Sequence, residues 1–114
     1  MALDSSVQIV YVSGEEIRRL FNECQYFEQS QRGEITKRQI SKDHEVDPTK
    51  SGQPPGTKSQ IIEYLDKNLN QVAIVHQYRL PSGQLGGSGR PDPKTLRIGN
   101  ILYRIDPDSV VKKP

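Results

Sequence analysis

The sequence predicts an α+β domain: a small, mostly antiparallel sheet of about five strands with one amphipathic helix packed on one face. Three observations carry this expectation. One segment near the start has apolar residues at helical spacing, four β-rich runs crowd between residues 60 and 105, and turn-forming residues separate those runs.

The elements follow in order. Residues 7–12 (VQIVYV) form a short β-rich run, and Ser13 with Glu16 three positions later matches a capping box, so a helix should begin there. Ile17, Leu20, Phe21, Cys24 and Phe27 then share one helical face, while Glu15, Arg18, Arg19, Gln25 and Glu28 point elsewhere, and Gly33 is the natural stop. Cys24 sits on the apolar stripe as a core thiol. Being the only cysteine, it can form no intrachain disulfide, and no zinc site built on several cysteines can be assembled.

Residues 34–59 break the pattern. Only Ile35, Ile40 and Val46 are aliphatic there, charge is dense, and Pro48, Pro54, Pro55 and Gly56 follow, so the segment reads as a long flexible connection with a short edge strand at 35–40. His44 lies among Asp43, Glu45 and Asp47, but a mobile loop does not preorganise metal ligands, and no metal is expected.

Strand signals return at residues 60–65. The following DKNLN stretch, 66–70, has hairpin-loop composition; its resemblance to a calcium loop fails at Gln71 and Gln77, where glycine and glutamate belong. In residues 72–80 a period of two sets Ile74, His76 and Tyr78 on one face and Ala73, Val75, Gln77 and Arg79 on the other, each face apolar first and polar towards the next loop. The last pair, 96–98 and 101–105, flanks Gly99-Asn100, a two-residue hairpin signal. That register opposes Ile98 to Ile101 and Leu96 to Tyr103, with Arg97 and Arg104 on one face. Residues 107–114 read as a tail.

The resulting organisation is a single domain: residues 1–33 supply a strand and helix, 34–59 a linker, and 60–106 the hairpin-rich remainder. At 114 residues, 32% hydrophobic, with a mean hydropathy of −0.73, a second core is not expected. No apolar run approaches the roughly 20 residues that span a bilayer, and the first residues carry Asp4 and lack a continuous apolar stretch, so a cytoplasmic protein without a membrane partner is expected.

Charge is uneven along the chain. Residues 1–74 hold nine Lys/Arg against eleven Asp/Glu, whereas 75–114 hold seven against three, a basic half that could attract an acidic partner or RNA. Within it, residues 81–94 (PSGQLGGSGRPDPK) combine four glycines, three prolines, Arg90 and Lys94 in one specialised loop. The loop lacks a Gly-Lys-Ser/Thr ending and a following helix, which argues against a P-loop phosphate cradle, and Ser88 lacks the strand-turn-helix context of a hydrolase nucleophile.

Two functions fit this pattern. The first is a binding or regulatory module with a basic sheet surface and a Gly/Pro-rich loop, meeting a protein partner or itself through a strand edge. The second is a metal-free RNA-binding protein or ribonuclease, for which His76, Tyr78 and Arg79 have the residue types of an acid/base and phosphorane-stabilising set, while Arg90, Lys94, Arg97 and Arg104 would hold the anion. Neither needs a cofactor. The interaction module requires fewer coincidences.

Overall fold

The computed structural model describes residues 7–107. Strand β1 (Gln8–Val12) leads to α1 (Gly14–Cys24) and the short α2 (Tyr26–Gln31). Then come β2 (Thr36–Gln39), β3 (His44–Glu45), the one-turn α3 (Pro48–Ser51), β4 (Lys58–Leu65), β5 (Gln71–Arg79), β6 (Asp92–Ile98) and β7 (Ile101–Ile105). The strands form an open sheet in the order β1-β7-β6-β5-β4-β2, with β3 also on β4. All pairs are antiparallel except β1 with β7.

The α+β class and mostly antiparallel sheet agree with the expectation, but the sheet has seven strands where the sequence suggested about five. Of the strands beyond those five, β2 coincides with the short edge strand expected at 35–40, whereas β3 does not follow from the sequence; both are exposed throughout, so no alternation of apolar and polar residues marks them. They lie in the segment read as a connection. There Ile35 and Val46 are buried, Val46 N–H donates to the Thr57 carbonyl at 3.0 Å, and Asp47 caps α3 by accepting from Thr49 N at 3.0 Å. Two buried side chains and local side-chain hydrogen bonds hold what composition alone reads as loop.

The capping box is present in part: Ser13 Oγ accepts from Glu16 N at 3.0 Å. The helix does not run on to Gly33, however. It breaks at Gln25, whose φ of 58° is left-handed, and Gln29 Nε2 donates to the freed Cys24 carbonyl at 2.9 Å. Helix α1 lies across β6 and β7, and Ile17 and Phe21 are fully buried against Ile62, Tyr64, Ala73, Val75 and Leu96. Phe21 meets the rings of Tyr64 and Tyr26 edge-on, with centroids 5.7 Å and 6.3 Å apart. Burial pushes the Tyr64 hydroxyl up to about 12.

The final hairpin has the expected register, with Ile98 opposite Ile101, Arg97 opposite Leu102 and Leu96 opposite Tyr103. Strand β6 starts earlier than expected. Pro93 is accommodated because the β5–β6 register shifts between Ile74 and Val75, leaving Lys94 as the extra residue of a bulge. Among the described residues no helix is long and apolar enough to cross a membrane.

Candidate functional site

The site-forming geometry arises where β6 parts from β5. Their pairing ends at His76 opposite Asp92, and the chain between them turns back on β5 through a bridge of Leu85 to Arg79. Gly86 N–H donates to the Tyr78 carbonyl at 2.8 Å, closing the far end. Between these two attachments lies a cleft of about 470 Å³, lined by Ile61, His76, Tyr78, the Gly86-Gly87-Ser88 backbone, Asp92 and Lys94, with Gln77 and Arg90 completing the wall.

Cross-strand pairing sets the floor. Ile61 opposes His76 and Ser59 opposes Tyr78, so all four share the sheet face not covered by α1. Ser59 Oγ and His76 Nε2 share a hydrogen bond of 2.7 Å, and the His76 and Tyr78 rings meet perpendicular at 4.8 Å. Burial holds the His76 imidazole below its ordinary value; Lys94 adds to the depression and Asp92 opposes it. Ser59 was not foreseen. Only the strand register, which brings residues 17 apart in sequence side by side, reveals it.

The cations suggested by the sequence do not gather in one patch. Arg79 lies on the opposite face from His76, where it pairs with Asp43 at 3.5 Å; that carboxylate also accepts from Gln39 and Gln60. Arg90 is latched to the helices: both Nε and Nη2 donate to Asn22 Oδ1, at 3.2 and 3.0 Å, Nη1 pairs with Glu28 at 2.9 Å, and the guanidinium stands 5.0 Å from the Phe27 ring centroid. The same guanidinium holds the Glu28 carboxyl below its ordinary value. Lys94 reaches the cleft and pairs with Asp92 at 3.0 Å, and Asp92 also faces Arg18 at 3.7 Å. Arg97 donates to its own turn at the Gly99 carbonyl, 3.0 Å away, at the other end of β6. Arg104 is exposed on β7 opposite Thr95. Thus His76, Tyr78, Lys94 and the latched Arg90 come together at the cleft, while Arg79, Arg97 and Arg104 lie elsewhere.

Metal ligation finds no cluster: among the described residues no group of three His, Cys, Asp or Glu is placed to hold an ion. Burial, followed by the charge of Glu23, pushes the Cys24 thiol up, which suits a packing role.

A second surface lies at the end of the sheet. Among the described residues strand β1 is an edge, and Gln8 N to Asn100 O (2.8 Å) and Asp106 N to Val12 O (2.7 Å) fix which of its residues bond inwards. By the alternation of a parallel ladder, Gln8, Val10 and Val12 face β7, while the backbone groups of Ile9 and Tyr11 point outwards. Their side chains are 43% and 55% exposed. At the other edge β2 presents Lys37 and Arg38, with Arg38 anchored to the buried Glu63 carboxylate at 2.5 Å.

The chain matches no family model, no curated protein and no solved structure.

Proposed function

We propose that this protein is an interaction module that extends its sheet through β1, with a second copy of itself or an extended segment of another protein as the added strand. The observation that supports this most directly is the contrast between the two sheet edges. The β2 edge carries charge, a common defence against edge-to-edge pairing, whereas β1 (QIVYV) is uncharged, β-branched and free of Pro and Gly. Its exposed Ile9 and Tyr11 offer two outward N–H and two outward C=O groups. Antiparallel pairing of two copies about Val10 would set Ile9 opposite Tyr11 in both directions, giving four backbone hydrogen bonds and two aromatic–aliphatic cross-strand contacts without like-charge repulsion.

Ribonuclease chemistry draws less support from the geometry, because Arg79 pairs with Asp43 on the opposite face and the guanidinium of Arg90, although it lines the cleft, is already engaged by Asn22 and Glu28.

Tyr11→Pro tests the proposal. Proline there removes an outward donor and leaves the inward ladder at Gln8, Val10 and Val12 intact. Sedimentation of the full chain should show concentration-dependent dimers that Tyr11→Pro abolishes with its circular dichroism unchanged. In a Cys24→Ala background, Val10→Cys should cross-link copies faster than a cysteine placed on β2. A monomer at high concentration that also takes up no extended peptide at β1, judged by amide exchange of Ile9 and Tyr11, would end this reading.

A further inference from the structure

We infer that the cleft beside β5 binds a small phosphate ester carrying a planar ring, the chemistry of a nucleoside monophosphate. This does not depend on pairing through β1. A volume of about 470 Å³ suits one such molecule. The floor is apolar and aromatic: Ile61 lies beside His76, and the perpendicular Tyr78 and His76 rings offer a surface against which a planar ring can pack.

The wall supplies donors for an anion. Gly89 N–H donates to the Gly86 carbonyl at 3.0 Å, closing a turn whose first central residue, Gly87, has φ +62° and whose second, Ser88, does not have positive φ, as in a type II′ turn. The amides of Gly87 and Ser88 donate to no group among the described residues. A Cβ on Gly87 would meet nothing within 4 Å, so its backbone stands open to an approaching ligand. Lys94 is carried to the cleft by the bulge in β6 and gives one contact to Asp92, leaving ammonium donors for phosphate oxygens. Arg18 and Lys94 both face Asp92, which offsets the carboxylate's repulsion of an anion.

The test is an amide-resolved NMR titration of the full chain with adenosine 5′-monophosphate, adenosine and inorganic phosphate in parallel. The monophosphate should shift Gly87, Ser88, His76 and Tyr78 saturably and bind at least about tenfold more tightly than either fragment, the effect of one charge-assisted contact. Lys94→Ala, an exposed substitution that leaves the core untouched, should weaken it by about tenfold, and Tyr78→Leu should remove its advantage over phosphate. No saturable shift, shifts confined to another surface, or unaltered binding by Lys94→Ala would overturn the inference. A short single-stranded oligoribonucleotide separates the sources of this chemistry. Affinity no greater than that of the mononucleotide supports a small-ligand site, whereas much tighter, steeply salt-dependent binding would overturn it in favour of a strand-binding surface.

Discussion

Replacing Arg90 should unlatch the glycine-rich loop from the helices without unfolding the sheet. The side chain makes a forked pair of hydrogen bonds to Asn22, an ion pair to Glu28 and a ring contact with Phe27. Hydrogen bonds to a charged group contribute about 1.5–3 kcal/mol when sheltered, but the Arg90 and Glu28 side chains are each over a third exposed, so solvent screening reduces this substantially. Adding about 0.5–1 kcal/mol for the ring, and allowing for non-additivity, Arg90→Ala should cost about 2 kcal/mol. Arg90→Lys keeps a charge for Glu28 but loses the fork, and should cost about 1 kcal/mol. Urea denaturation measures both. Amide exchange then locates the effect: the amides of Gly83, Gly86 and Gly89, which bond within or next to the loop, should exchange faster while those of β4 and β5 stay protected. An Arg90→Ala protein within about 0.5 kcal/mol of the parent, with unchanged exchange at these glycines, would refute the latch.

Two further outcomes test the core and the cleft. Phe21→Ala empties the space between Tyr26, Tyr64 and the sheet and should cost about 3–5 kcal/mol, read as a lower urea midpoint at constant slope; a loss below about 1 kcal/mol would mean that α1 does not cover this face. His76 should make stability depend on pH. Its folded imidazole is held below the ordinary value of 6.5, so between the two values the unfolded chain binds more protons. Its contribution is therefore level above 6.5 and declines as pH falls through that window, with Lys94 and Asp92 as the charged groups facing it. His76→Gln should flatten this part of a urea-midpoint against pH profile, and an identical slope in the variant would assign the dependence elsewhere.

Parts of the candidate site were legible because they follow local rules. Period-two alternation placed His76 and Tyr78 on one face and Arg79 on the other, and the observed pairing agrees. The Gly99-Asn100 turn fixed the last register for the same reason, since a two-residue turn leaves few alternatives. Where Arg79 and Arg90 find partners was not legible. Asp43 is 36 residues from Arg79 and Asn22 is 68 from Arg90, and no local pattern encodes contacts across such separations. Apart from the edge strand at 35–40, residues 34–59 read as a connection for a related reason, because Ile35 and Val46 count for little in composition yet both are buried once β4 stands beside them.

By itself, then, the chain determined the class of fold, the start of α1, the faces of β5 and the final hairpin, all set by capping, side-chain period and turn chemistry within a few residues. Tertiary structure alone decided that β1 is an uncharged edge, that Ser59 meets His76, and that β6 departs from β5 to open a cleft. Those features depend on which strands become neighbours, and strand order is bound up with burying the central cluster of the sheet (Ile62, Tyr64, Ala73, Val75 and Leu96) against Ile17 and Phe21 of α1, a collective energy that no short segment contains.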